Sequence, residues 1–126
     1  MIKIAIAGDH REFIEMFRLA IKKTPPENGE EIEIHEFEDN RQLLKNFEPG
    51  KYSAAIVYGD IRSYTGDNTA HQISLADEKI IVAFYTKYNY FYTDKYDIGY
   101  YELTGKNPPD YSFQLEKIYQ KLSLMI

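Results

Sequence analysis

Two periods of apolar spacing alternate along this chain. Residues 2–7 (IKIAIA) form a short apolar run rich in β-branched side chains, which predicts a strand. Phe13, Ile14, Phe17, Leu19, Ala20 and Ile21 then recur at helical spacing, which predicts an amphipathic helix over 11–23. The stretch TPPENGE at 24–30 breaks it. Residues 31–37 (EIEIHEF) alternate strictly, the pattern of a half-exposed strand. In EDNRQLLKNF a cap at Asp39 or Asn40 opens a short helix with Leu43, Leu44 and Phe47 on one side, and Pro49-Gly50 stops it. Residues 53–58 (SAAIVY) are continuously apolar, as in a central parallel strand covered on both faces. A polar loop at 59–66 and a weak helix at 67–76 lead to the strongest strand, 79–86 (KIIVAFYT). A short helix is expected within the tyrosine-rich stretch 87–97 and a fifth strand over 99–104 (GYYELT). After Pro108-Pro109, helical spacing returns over 110–125 with Phe113, Leu115, Ile118, Tyr119, Leu122 and Met125.

This order is β-α repeated five times, and such alternation predicts a parallel sheet with helices on both faces. Sheets of that kind keep their chemistry at the C-terminal edge of the strands. That edge draws attention to AAIVYGDIRS at 54–63, where an apolar strand stops in Tyr58-Gly59-Asp60.

Length and composition narrow the picture. At 126 residues the chain is the size of one domain, and 44% hydrophobic content suffices for one core. No repeat or linker divides it. With no cysteine, disulfides, thiolate catalysis and cysteine-based zinc sites are excluded. A net charge of −5 argues against a nucleic-acid surface, which needs clustered Lys and Arg. The N-terminal apolar run is too short for a signal peptide, and no segment approaches the roughly 20 apolar residues of a membrane helix. The expectation is a cytoplasmic protein. His10, His35 and His71 lie on three different elements with no metal-ligand spacing, and His35 is expected to be exposed.

IKIAIAGD followed by REFIEMF, then EIEIHEFEDNRQLL, KYSAAIVY, Gly66 with Thr69-Ala70, and YDIGYYELTGKNP occur in an informative order. Together they resemble the receiver domain of two-component response regulators, especially the type attached to LytTR DNA-binding domains. The resemblance spans essentially the whole chain. It implies a flavodoxin-like three-layer sandwich, with a five-stranded parallel sheet of order 2-1-3-4-5 and five helices. It also implies a role in signal transduction or transcription regulation. Residues 1–126 are read as a single receiver-like domain, compatible with the N-terminal part of a longer regulator.

Receivers accept a phosphoryl group from a histidine kinase on one aspartate. Two acids after the first strand hold Mg²⁺ through hard oxygen ligands. The acceptor aspartate ends the third strand. A Ser or Thr after the fourth strand and a Lys after the fifth contact the phosphoryl oxygens, where metal and lysine neutralise charge. This chain meets that pattern in part. Gly8-Asp9 stands where two acids are expected, so Asp9 matches and Gly8 does not. The acceptor position falls on Tyr58, whether counted forward from Lys51-Tyr52 or back from Thr86. Thr86 matches the hydroxyl position and Lys106 the lysine, although Asn107 separates Lys106 from Pro108. At the aromatic switch position stands Leu103, with Tyr100 and Tyr101 nearby. A phenol with an ordinary pKa near 10 is a poor nucleophile at neutral pH.

The resulting expectation is a degenerate, or pseudo-, receiver that needs no cofactor and catalyses no turnover. Asp9 serves better as a helix cap than as a metal ligand, and Lys106 is expected to pair with it across the pocket. Two alternatives stay open at this point. Asp60 lies two residues beyond Tyr58, and a register slip of two would bring it into the pocket as a Mg²⁺-dependent acceptor. Alternatively, the site senses a small ligand. The cluster Tyr85, Tyr88, Tyr90, Tyr92, Tyr96, Tyr100 and Tyr101 suits a protein interface, because Tyr combines contact area with a polar tip. A homodimer through 88–105 and the last helix, or a protein partner there, is the expected mode of action. No direct contact with nucleic acid or membrane is expected.

Overall fold

The computed structural model describes residues 1–8, 11–59, 66–86, 97–100, 115–116 and 119–120. They form β1 (Ile2–Ala7), α1 (Arg11–Lys23), β2 (Ile32–Phe37), α2 (Asn40–Asn46), β3 (Ala54–Tyr58), α3 (Gly66–Ala76), β4 (Ile81–Thr86) and β5 (Asp97–Tyr100). The strands make one sheet of order β2-β1-β3-β4-β5, and every neighbouring pair is parallel. Parallel neighbours need crossovers, and the 3.6-period segments between them supply the helices.

The sheet divides the core into two layers. Ile2, Ile4, Ile6, Ala54, Ile56, Tyr58, Ala83 and Tyr85 face α1, where Phe13, Ile14, Phe17 and Ile21 are buried against them. Leu115 belongs to the same layer, and Tyr119 packs on it. Ala5, Ala7, Ala55, Val57, Val82 and Phe84 face the other way, toward Leu43 of α2 and Ala70 and Ile73 of α3. All five residues of β3 are buried, the continuous burial that its unbroken apolar run anticipates. β2 lies at the sheet's edge and is half-buried except at Glu33, which is exposed.

Several expectations need correction. Three of the five expected helices are described in full; of the stretch 87–97, where a fourth is expected, residues 87–96 lie outside the described residues and Asp97 opens β5. Of the last helix, only 115–116 and 119–120 are described, both helical. The fifth strand is described over Asp97–Tyr100, so it begins two residues before the expected 99–104, of which 101–104 lie outside the described residues; Ala83 of β4 faces Asp97 and Thr86 faces Tyr100. His35 is not an exposed strand residue. Its ring bonds to Tyr52 and Glu33 (3.0 and 2.9 Å) and is only partly open to solvent. Residue 35 shares the α2-facing side with Ala5, which brings it over Tyr52. The helix cap at α2 is Asp39, whose side chain accepts from the Gln42 N–H at 2.9 Å.

Candidate functional site

The C-terminal edge is built by the ends of β1 and β3. Gly8 follows β1, and its N–H donates to the Phe37 carbonyl of β2 at 3.2 Å. β3 ends on Tyr58, and the next amide, Gly59, donates to the Tyr85 carbonyl of β4 at 3.0 Å. In the β1–β3 register Ala7 faces Val57, so Gly8 and Tyr58 are the next facing pair. They meet closely. A Cβ on Gly8 would lie 3.0 Å from the Tyr58 Cβ, 3.3 Å from its carbonyl oxygen and 3.5 Å from Cδ1. A side chain at position 8 is thus opposed by the tyrosine that stands across from it. Sequence comparison alone treats these positions as two separate departures; in three dimensions they share one space.

Tyr58 is 5% exposed and packs in the α1 layer of the core. Its ring lies 5.1 Å from that of Phe13, tilted by 32°. Phe13 also touches Phe17 (5.7 Å) and Tyr85 (5.4 Å), and Tyr85 meets Phe17 edge-on at 5.3 Å. The four rings form one aromatic cluster under the edge, with centroid separations in the favourable range for such pairs. Even positions of β3 point toward α1, which places Tyr58 in the core by the same alternation that buries Ala54 and Ile56.

Asn40 is a member of this edge that sequence reasoning treated only as an alternative cap. It is 4% exposed, and its Nδ2 donates to the Tyr58 carbonyl at 3.2 Å. Its Oδ1 is buried with no hydrogen-bond partner among the described residues. The available sequence signal was an Asn directly after a capping Asp, at the start of a helix that follows a strand. Beside the edge lies an open cavity of about 260 Å³ lined by Gly8, Arg11, Ile14 and Glu38. Across it Arg11 pairs with Glu38, and also with Glu15, both at 3.4 Å. These are exposed ion pairs, and each contributes little to stability.

Of the sequence-identified positions, Gly8 and Tyr58 come together. Thr86 closes β4, whose preceding residue Tyr85 pairs with Tyr58. Tyr100 closes β5 opposite Thr86. Asp9, Asp60, Lys106, Tyr88, Tyr90, Tyr92, Tyr96 and Tyr101 lie outside the described residues. Among the described residues, no group of three or more His, Asp or Glu side chains is placed to hold a metal ion. No helix among them is long and apolar enough to cross a membrane.

At the level of sequence, no family model and no curated protein matches the chain. Solved structures do match. The response regulator TrrA from Thermotoga maritima, in complex with Mg²⁺-BeF, is 20% identical with a TM-score of 0.70, over 96% of this chain and 99% of TrrA. A CheY-like receiver domain from Methanospirillum hungatei is 13% identical with a TM-score of 0.69, over 100% of this chain and 99% of that one. The response regulatory domain of mrkE from Klebsiella pneumoniae is 19% identical with a TM-score of 0.68, over 98% and 97%. The chain therefore has the α/β flavodoxin-like fold of response-regulator receiver domains.

Proposed function

We propose that this chain is a degenerate, or pseudo-, receiver domain that acts in signal transduction or transcription regulation through phosphorylation-independent protein association. One observation carries the reading. The residue that ends β3, where receivers place the acceptor aspartate, is Tyr58, and it is packed against Phe13 with 5% exposure. A phenol held in a core offers neither an acyl-phosphate nor access to a phosphodonor.

Mg²⁺ fits these residues poorly. Receivers supply a carboxylate at position 8, and Gly8 has none. A carboxylate there would also start 3.0 Å from the Tyr58 Cβ. On this reading no cofactor is required and no reaction is turned over. On this reading Tyr58 stands at the position where a receiver keeps room for metal and phosphate, and it crowds any side chain at position 8. Lys106 and Asp9 are proposed to pair across what remains, and Thr86 to act as a strand-end hydroxyl. Association is proposed to use the tyrosine-rich surface of 88–105 and the last helix, either with a second copy or with another protein.

The test is intact mass after incubation with Mg²⁺ and acetyl phosphate, beside a working receiver as control. The expected result is no gain in mass. A labile gain of one phosphoryl group that disappears in Asp60→Asn would overturn the reading and make Asp60 the acceptor.

A further inference from the structure

On the opposite end of the sheet from the candidate site, three side chains form a continuous hydrogen-bonded chain. Tyr52 precedes β3, is 3% exposed and packs in the α2 layer of the core. Its hydroxyl lies 3.0 Å from Nδ1 of His35, and the two rings meet edge-on at 5.2 Å and 85°. Nε2 of His35 lies 2.9 Å from Oε2 of Glu33, which is open to solvent. The chain runs from water at Glu33, through a partly open imidazole, to a buried phenol.

The donors can be assigned by elimination. An ionised carboxylate only accepts, so Nε2 carries the hydrogen in the neutral imidazole. Nδ1 then has a lone pair, and Tyr52 donates its hydroxyl hydrogen to it. Protonating the imidazole changes this. Both ring nitrogens become donors, Tyr52 must accept through its oxygen, and its own hydrogen loses its acceptor. The gain falls at Glu33, in solvent, where an ion pair contributes little. The cost falls at Tyr52, in the core, where a buried donor without a partner is expensive. Other charged groups face this chain from the neighbouring elements. Lys3 of β1 stands 4.0 Å from Glu33, and the Lys51 ammonium lies 5.6 Å from the centroid of the Tyr52 ring. Leu44 of α2 and Phe47 just after it pack on this layer, while Arg41 and Lys45 of α2 stay exposed.

We propose that the Glu33–His35–Tyr52 chain is a proton-operated switch: charging His35 reverses its hydrogen bond to Tyr52 and loosens the 47–53 connection from the sheet. Other bonds also hold that connection: Gly50 N–H donates to the Asp77 carboxylate at 2.9 Å, Lys51 Nζ to the Asn46 carbonyl at 3.0 Å, and Ile81 N–H of β4 to the Ser53 carbonyl at 3.2 Å. Lys51 N–H donates to the Glu48 carbonyl at 3.0 Å, and Ser53 N–H to the Lys3 carbonyl of β1 at 2.8 Å. It leads directly into β3, the strand that ends on Tyr58. Imidazole titration between about pH 5 and 8 makes His the side chain suited to such a device. The proposal is independent of the phosphorylation chemistry at the other end of the sheet.

The experiment is NMR on the intact chain. Ring nitrogen shifts of His35 should show the neutral form protonated at Nε2. Amide exchange protection of Lys51 and Ser53, corrected for intrinsic rates, should fall about tenfold between about pH 8 and about pH 5.5, the scale of one lost buried hydrogen bond. In Tyr52→Phe that fall should vanish. His35→Gln, which cannot titrate, serves as the second variant and should be equally flat. A neutral His35 protonated at Nδ1, equal protection at both pH values in the native chain, or an undiminished fall in either variant would each overturn the proposal.

Discussion

Gly8 and Tyr58 are best understood as a pair. Gly8→Asp places a Cβ 3.0 Å from the Tyr58 Cβ, and so should destabilise the fold by about 2 kcal/mol through overpacking. Tyr58→Ala removes a buried ring from the Phe13 cluster and should cost about 3 kcal/mol or more. In the double variant the space vacated by the ring accommodates the aspartate. Urea denaturation of all four proteins should therefore show a combined cost below the sum of the two by about 1 kcal/mol or more. Strict additivity would mean that the two residues do not share space. The pair also shows how far residue identity could be read in advance. Counting along the chain located both positions, but their mutual exclusion needed the β1–β3 register. His35 shows the reverse. Strand alternation placed it on a half-exposed edge, and only the fold brought Tyr52, 17 residues later, under its ring.

Element boundaries follow the local chemistry where that chemistry is strong. Asp39 caps α2 by accepting from the Gln42 N–H, beside Asn40, which ties the same turn to the Tyr58 carbonyl. Asp39→Ala should lower stability by about 1 kcal/mol in thermal or urea melts, and Asp39→Asn should recover most of it. A loss near zero for Asp39→Ala would show that Leu43 packing and the Asn40–Tyr58 bond hold the helix without the cap. α1 is legible from sequence because its apolar spacing is helical and Phe13, Ile14, Phe17 and Ile21 are the buried face. β2 is legible from its alternation, and its partners explain its charges. Glu36, on the α1 side, takes the Arg18 guanidinium through both carboxylate oxygens at 3.1 and 2.8 Å. Glu33, on the α2 side, is held below the ordinary carboxylate value, first by its hydrogen bond to His35. By contrast the start of β5 lies at Asp97, two residues before the expected 99, and pairing with β4 selects that register.

At the scale of the molecule, the last helix is tied back to the first. Tyr119 packs on the α1 layer and donates its hydroxyl to the Thr24 carbonyl at 2.8 Å, just past the end of α1. Burial pushes the phenol up from 10.0 to about 12. The folded state thus favours the neutral form. That contribution is complete below pH 10 and is lost as pH rises through about 12. Tyr119→Phe should be less stable than the native chain near neutral pH. The difference should shrink as pH rises through this alkaline window, measured by urea midpoints at each pH. A difference that stays constant to the top of the window would remove Tyr119 from the alkaline response.

By itself, the sequence determined the class of fold. Alternating 2.0 and 3.6 periods, with a continuously apolar β3 and turn residues between, admit a parallel sheet flanked by helices and little else, because each apolar face must be buried. Counting also located the edge where the candidate site stands and showed Tyr58 at the end of β3. Only the tertiary structure decided what the named residues do. That Tyr58 packs on Phe13, that a side chain at Gly8 would crowd Tyr58, that Asn40 reaches the Tyr58 carbonyl, and that Glu33, His35 and Tyr52 form one chain are all contacts between elements distant in sequence. Periodicity reports which face of an element is buried. It carries no information on which residue of another element it is buried against.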